Sequence, residues 1–230
     1  MLGIISAAIA PGVALLSYFY LRDKYEPEPI SLVIRQFIFG IFLVFPVMAL
    51  QHELLQLEGI PIWVHTYVIT GLIEEFFKFF IIYITVFSHV EFDHPYDGVV
   101  YSVAVSLGFA TLENFLYLVL NGVSLAFLRA LLPVSGHALF GVLMGYYLGK
   151  SKFHQNPKYR RYYLLIALLL PVLLHGTFDF IILSSSSNWM LPIIPFMIAL
   201  WWLGLHRVEQ ANQRQFLEPP IVKTNEFGSN

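Results

Sequence analysis

The chain has 230 residues, of which 57% are hydrophobic and only 12% are charged, and its mean hydropathy is +0.69. A soluble domain of this length cannot bury so much apolar surface, so the composition predicts a protein whose solvent is the lipid bilayer. The formal net charge of -2 gives no general attraction to nucleic acid. The absence of cysteine excludes disulfides, thiolate metal ligands and a cysteine nucleophile.

Seven stretches of the chain are each apolar over the roughly 20 residues that a helix needs to cross the hydrocarbon core. They are residues 2–21, 31–51, 62–87, 97–120, 127–149, 162–183 and 189–205. Short connectors separate them, so neighbouring helices are expected to be antiparallel. We therefore predict an all-α membrane protein, a single bundle of about seven transmembrane helices, in residues 1–207. Residues 208–230 are polar and are predicted to form a disordered tail.

Basic residues predict how the bundle is oriented. The largest cluster lies between the fifth and sixth predicted spans: Lys150, Lys152, Lys158, Arg160 and Arg161. Cytoplasmic loops of membrane proteins carry an excess of lysine and arginine. With seven spans, this rule predicts a multi-pass protein of the cytoplasmic membrane, with its N-terminus outside and its C-terminus in the cytoplasm. Arg129, near the predicted outer side, is an exception to the pattern.

Ionisable side chains occur inside four of the predicted spans. Such residues are costly in a bilayer, normally face the bundle interior or a wet cavity, and by default mark a functional site. The predicted depths lie near the middle of the membrane or towards its outer side, so four helices could deliver these groups to one layer. The ionisable residues are Glu74, Glu75 and Lys78, then Glu113, then His137, and finally His175 and Asp179, and the polar residue Asn114 lies beside Glu113.

Helical spacing predicts where these side chains point. Glu74 and Lys78 are four residues apart, as are His175 and Asp179, so each pair shares a helix face. His137 begins a series of small residues at four-residue steps, a spacing that lets two helices approach closely. That series continues with Gly141, Gly145 and Gly149. His137 is therefore expected to face a neighbouring helix rather than lipid.

Structural interpretations compete with functional ones at single positions. Lys78 could do no more than neutralise a neighbouring glutamate, and His175 with Asp179 could be a structural hydrogen bond. His137 taken alone is more often a packing residue, and Asn114 is expected to join two helices. Packing alone does not readily explain why all of these groups share one depth, so we predict a functional site.

Two acids and two histidines permit two related routes of hydrolysis. In the first, a divalent metal such as Zn²⁺ activates water, and the candidate ligands are Glu75, Glu113, His137 and His175. In the second, which needs no metal, a glutamate acts as general base toward water while histidine and asparagine or aspartate polarise the scissile carbonyl. Both routes are open, with either Glu74 or Glu75 as the base.

The order Glu74-Glu75-x-x-Lys78, Glu113-Asn114, His137 and His175-x-x-x-Asp179 resembles the pattern of the PrsW family of intramembrane proteases. That family is similar to the wider group that includes the type II CAAX-prenyl endopeptidases and the bacterial Abi proteins. The similarity covers essentially residues 1–207. It extends to stretches without any assigned chemistry, such as Tyr96-Asp97-Gly98.

The resemblance implies a membrane-bound endopeptidase that makes the first cut in a membrane-anchored anti-sigma factor of the RsiW type. The cut would lie on the extracytoplasmic side and answer envelope stress. The resemblance implies six catalytic residues: Glu74, Glu75, Glu113, His137, His175 and Asp179. PrsW-like proteins are classed among metallopeptidases, although this chain lacks a His-Glu-x-x-His helix. Lys78 stands where the CAAX group usually has arginine, which argues against a prenylated substrate because lysine lacks the bidentate fork.

A proton-coupled transporter is the main alternative, because buried Glu, His and Asp side chains also serve as proton relays. Transporters often contain paired half-repeats with broken helices, and the chain shows no repeat. A membrane scaffold is a third interpretation, but it leaves the buried charges without a role.

Overall fold

The computed structural model describes residues 2–23, 27–184 and 188–217, except for the side chains of residues 214–217. These residues form helices and no strand. Seven helices organise the described chain: α1 (Leu2–Tyr20), α2 (Ile30–Leu55), α3 (Ile73–Thr85), α4 (Asp97–Asn121), α5 (Val123–Phe153), α6 (Pro157–Ser184) and α7 (Met190–Leu217). The predicted all-α bundle is confirmed.

Six of the described helices, all except α3, are long and apolar enough to cross a membrane. A π-helical stretch, Val64–Leu72, runs directly into α3, so the third predicted span is helical over most of its length. The wider π-helical turn is rare and occurs frequently at functional sites. Here it ends just before Glu74 and Glu75, which lie in the first turn of α3.

Helix α4 is the centre of the bundle. Every residue from 97 to 111 is buried, because α1 and α2 pack against one side of α4 and α5 packs against another. Helices α6 and α7 in turn pack against α5. A helix that is buried on all sides can carry polar residues only where a partner from a neighbouring helix meets them. The environment of each polar group on α4 is therefore set by its neighbours.

Small residues bring the neighbours of α4 very close. A Cβ atom on Gly108 would overlap the backbone carbonyl of Phe37 in α2. A Cβ atom on Gly141 of α5 would lie 2.8 Å from Oγ of Ser106 in α4. The predicted small-residue face of α5 thus does contact a neighbouring helix, and His137 lies on the same face.

Helix α7 continues to Leu217, so residues 208–217 extend the bundle instead of starting a tail. Val208 and Ala211 are buried, and the hydroxyl of Tyr146 donates a hydrogen bond of 2.8 Å to Oε1 of Gln210. This stretch is mostly polar, and its few apolar residues lie on one narrow helix face. The sequence therefore predicted that the membrane domain ends at residue 207. The rest of the predicted tail, residues 218–230, lies outside the described residues.

Candidate active site

Helices α3, α5 and α6 bring the ionisable residues of three predicted spans into contact. The ammonium group of Lys78 lies 2.7 Å from Oε1 of Glu75 and 3.3 Å from Oε2 of Glu74. It also lies 3.0 Å from Nδ1 of His137. Nδ1 of His175 lies 2.9 Å from the same Oε1 of Glu75. All five residues are buried, so these contacts form away from solvent.

Glu75 holds the centre of this cluster and is fully buried. Its Oε1 atom contacts both Lys78 and His175, whereas its Oε2 atom has no hydrogen-bond partner within the described part of the chain. A buried carboxylate oxygen without a donor costs about 1–3 kcal/mol. The geometry therefore leaves one ligand position of Glu75 open to a water molecule or a cation.

Glu113 connects α4 to the cluster. Its Oε2 atom lies 3.0 Å from Nε2 of His137, and its Oε1 atom accepts a hydrogen bond of 3.0 Å from Arg129. Nε of Arg129 also donates to Oδ1 of Asn114 at 2.9 Å, and Nδ2 of Asn114 donates to the carbonyl of Ala8 at 3.3 Å. Both ring nitrogens of His137 are thus held, and Asn114 joins helices as predicted.

Asp179 lies at the edge of the cluster. Its Oδ2 atom is 3.6 Å from Nε2 of His175, which is an electrostatic contact longer than a hydrogen bond. Nε2 of His175 is also 4.0 Å from Oε2 of Glu74. His175 therefore stands between three carboxylates, with its firmest contact to Glu75.

Aromatic rings enclose the two histidines. The rings of His137 and His175 are nearly perpendicular, with centroids 5.0 Å apart. Phe140 stacks on His175 at the same distance, and the ammonium group of Lys78 lies 4.3 Å from the centre of the Phe109 ring. These apolar walls keep bulk water away, which strengthens every charge interaction inside the cluster.

A cavity of about 70 Å³ opens beside the cluster. It is lined by Thr70, Glu74, Glu113, Pro133, His137, Phe140, His175, Phe178 and Asp179. Five of the six predicted catalytic residues therefore border one cavity, and Glu75 lies behind it in contact with His175. The volume holds a few water molecules but no peptide segment, so a substrate enters only if the surrounding helices move.

The donors in this cluster fit a divalent metal. Glu74, Glu75, His137 and His175 each offer a ligand atom, and these atoms lie within 4.8 Å of one another. Carboxylate and imidazole donors suit Zn²⁺, and the open Oε2 atom of Glu75 is one candidate ligand. Because Lys78 contacts three of these residues, an ion bound among them would share or replace the contacts of its ammonium group.

The sequence predicts Glu75, Glu113, His137 and His175 as candidate ligands. The four atoms that lie within 4.8 Å of one another include one from Glu74 and none from Glu113. The carboxylate of Glu113 is instead occupied by Arg129 and by Nε2 of His137. Sequence reasoning could not distinguish the two acids because both occur at suitable depth.

Two residues of the site were missed by sequence reasoning. Arg129 appeared only as an exception to the charge pattern, yet it neutralises Glu113 and anchors Asn114. The side-chain amide of Gln51, near the end of α2, donates to Oε1 of Glu74 at 3.2 Å. Arg129 could have been found from the sequence because it is a lone basic residue near a predicted outer boundary. Gln51 could not, since only its polarity distinguishes it from its neighbours.

Comparisons with known proteins identify the family to which the chain belongs. The family model of the PrsW family intramembrane metalloprotease matches residues 28–203. The chain is 53% identical over 225 residues to the Protease PrsW of Geobacillus kaustophilus, covering 96% of this chain and 98% of that protein. It is 50% identical over 220 residues to the Protease PrsW of Bacillus subtilis, covering 95% and 100%. The Protease PrsW of Clostridioides difficile is 35% identical over 206 residues, covering 85% and 87%. No solved structure gives a significant match.

The matched region contains all the helices that build the cluster. The relatives are named as proteases, which favours the protease interpretation over a transporter or a scaffold. The chain therefore belongs to the PrsW family of intramembrane metalloproteases and is a membrane endopeptidase.

Proposed function

We propose that this protease makes the first cut in a membrane-anchored anti-sigma factor of the RsiW type, on the extracytoplasmic side. The observation that carries the proposal is the convergence of two glutamates and two histidines on one cavity within a membrane bundle. Such a site can hydrolyse a peptide close to the membrane surface. The family resemblance supports the choice of substrate class.

Glu74 is the acid best placed to act on water in this proposal. It borders the cavity, and Gln51 and Lys78 each hold one of its oxygens. A carboxylate in this position can take a proton from a water molecule beside the scissile carbonyl. Glu75 has a different task, because its Oε1 atom fixes Lys78 and His175 relative to each other.

The histidines complete the reaction. His175 borders the cavity and is held by Glu75 through Nδ1, so its Nε2 atom is available to give a proton to the leaving amine. His137 also borders the cavity, but Lys78 and Glu113 hold its two ring nitrogens, so it can polarise the scissile carbonyl only after one of these contacts opens. A Zn²⁺ ion bound by Glu74, Glu75, His137 and His175 would add Lewis-acid activation of the water. Lys78 offsets the negative charge of both glutamates.

We further propose that the N-terminus of the chain is outside the cytoplasmic membrane. The Glu113 end of α4 lies by the cavity, whereas Lys150 and Lys152 lie in the last turn of α5, which ends beyond the other end of α4. The excess of basic residues at that second end is typical of a cytoplasmic surface. This orientation directs the cavity toward the extracytoplasmic side, where the proposed cut occurs.

Co-expression tests the proposal directly. A membrane-anchored anti-sigma factor carrying a tag at each end is produced with the parent chain, with Glu75→Ala, with His175→Ala, or with His52→Ala as the control. His52 is exposed at the end of α2 and lies outside the cluster, so this variant shows whether a histidine-to-alanine substitution by itself affects cleavage. We expect shortening of the anti-sigma factor with the parent and with His52→Ala only. Full cleavage by both active-site variants, with normal protein levels, would show that the cluster is not the catalytic site.

Metal content is measured on the same purified proteins. If the metal route operates, elemental analysis finds about one zinc per active site, and chelation abolishes cleavage until Zn²⁺ is restored. Unchanged cleavage after complete removal of metal would support the route that uses only the side chains of the chain.

A further inference from the structure

A second group of buried acids lies at the opposite end of α4 from the active site. Asp23, Glu28 and Asp97 are only 7%, 4% and 0% exposed. One oxygen from each residue lies within 4.8 Å of the other two. Asp97 is the first residue of α4, and the 16 positions from 97 to 113 correspond to about 24 Å along a helix, so this group is separate from the active site.

Neighbouring groups hold Glu28 and Asp97 in place without neutralising them. The hydroxyl of Tyr101 donates a hydrogen bond to Oε2 of Glu28, and the hydroxyl of Tyr20 donates to the carbonyl of Glu28 at 2.9 Å. The backbone N–H of His94 donates to Oδ2 of Asp97 at 2.5 Å. These donors are uncharged, so they orient the carboxylates and leave their negative charge in place.

The other oxygen of Asp97 is the unusual feature. Oδ1 of Asp97 is buried and has no hydrogen-bond partner among the residues that the structure describes. No lysine or arginine in those same ranges forms an ion pair with Glu28 or Asp97. Asp93 and His94 form a second set of possible ligands together with Asp97, again within 4.8 Å. Asp97 thus belongs to two overlapping sets of possible ligands.

Bringing these acids together is unfavourable when nothing compensates their charge. One oxygen from each of Asp23, Glu28 and Asp97 lies within 4.8 Å of the other two, and burial keeps away the water that would otherwise screen their charges. Buried carboxylates at such short distances remain ionised together only when a positive charge lies close to them. The cluster therefore requires either a cation or shared protons.

We propose that Asp23, Glu28 and Asp97 bind a hard divalent cation, Ca²⁺ or Mg²⁺. Carboxylate oxygens are the preferred donors of these ions, whereas Zn²⁺ is more often held by nitrogen and sulfur. Asp23 and Glu28 lie in the connector between α1 and α2, so the ion fastens this connector to the start of α4. Asp97 belongs to the Tyr96-Asp97-Gly98 stretch, which the proteolytic site leaves without a role.

Equilibrium dialysis with radioactive Ca²⁺ tests the site on the purified full chain in detergent, after chelation and dialysis. The variants are Asp97→Asn, Glu75→Gln in the proteolytic cluster, and Glu91→Gln as a matched control. Glu91 is an exposed acid at the same end of the bundle. We expect the parent, Glu75→Gln and Glu91→Gln to bind one Ca²⁺ with similar affinity, and Mg²⁺ to compete for it. Asp97→Asn is expected to weaken binding by at least about tenfold.

Two results would overturn the proposal. One is Ca²⁺ binding by Asp97→Asn that equals that of the parent, and the other is no binding by the parent at millimolar Ca²⁺ or Mg²⁺. In the second case the carboxyl groups share protons instead of a metal. If Asp97→Asn does not fold, Glu28→Gln removes a ligand from the α1–α2 connector and is expected to lose binding equally. Parent-like Ca²⁺ affinity in Glu28→Gln would then reject the site.

Discussion

The two ends of α4 bury carboxylates in opposite ways. At the Glu113 end, the acids contact Lys78, Arg129 or a histidine, so each negative charge meets a group that can carry a positive one. At the Asp97 end, the contacts of Glu28 and Asp97 are to hydroxyl and backbone N–H donors. The same helix therefore borders acids that have built-in counter-charges at one end, and Glu28 and Asp97, which accept hydrogen bonds from uncharged donors, at the other.

This difference teaches what each cluster requires. Counter-charges carried by the helices let the first cluster remain buried before substrate arrives, so its acids can be used for chemistry. The second cluster would reach the same balance with the cation proposed above or with shared protons. Removing the positive charge of Lys78 should therefore destabilise the first end. Removing one carboxylate charge at the second end should stabilise the protein in the absence of metal. Four experiments sharpen or break this comparison, in order of decreasing expected effect.

The largest effect is expected for His175→Ala on proteolysis. The substitution removes a ring that borders the cavity and contacts Glu75, and loss of a positioned proton donor lowers rates by about 100-fold to 10,000-fold. The measurement is the initial rate at which a tagged substrate is shortened in proteoliposomes. His52→Ala serves as the control and should keep the parent rate. A rate for His175→Ala within a few-fold of the parent would remove this residue from the chemistry.

The second effect concerns Lys78→Met, which leaves Glu74 and Glu75 without their cation. Breaking a buried ion pair by removing one partner costs about 3–5 kcal/mol, and we expect the free energy of unfolding to fall by that amount. Unfolding in mixed micelles provides the measurement. Adding Glu75→Gln to Lys78→Met should restore part of the loss, because one uncompensated charge is then removed. Equal stability of Lys78→Met and the parent would contradict the idea of a neutralised cluster.

The third effect tests the close packing between the two ends of α4. In Gly108→Ala the new methyl group overlaps the carbonyl of Phe37, and overpacking typically costs about 1–3 kcal/mol. Gly3→Ala is the matched control, since a Cβ atom there meets nothing within 4 Å. The free energy of unfolding is compared for both variants. If Gly108→Ala is as stable as Gly3→Ala, α2 and α4 are not in the tight contact described.

The smallest effect is expected for Glu28→Gln in the presence of a chelator. Glutamine keeps an acceptor for Tyr101 but removes one of the clustered charges, so stability without metal should rise by about 1 kcal/mol. Saturating Ca²⁺ should stabilise the parent and leave Glu28→Gln almost unchanged. Both changes are measured as melting temperatures at neutral pH. A lower melting temperature for Glu28→Gln under chelation would show that the charge is already compensated.

Much of the candidate site could be predicted because buried charge is rare in membrane helices. Glu74, Glu75, His137 and His175 stood out as ionisable residues in apolar stretches, and the structure brings all four together. The partner of Glu113 could not be predicted, since Arg129 lies on another helix and its direction depends on how α4 and α5 pack. The helix beyond residue 207 was also missed, because its buried face is narrow and its composition is polar.

The sequence by itself determined the solvent of the protein, the approximate limits of its helices and the inventory of its buried ionisable groups. These properties depend on local hydropathy and on the cost of placing charge in lipid, both of which are visible residue by residue. Only the tertiary structure decided that Lys78 contacts both glutamates, that Glu74 and Glu75 come close to His137 and His175, and that acids meet around Asp97. These side-chain contacts depend on how helices that are distant in the chain rotate and cross, so the spacing of residues along one helix does not predict them.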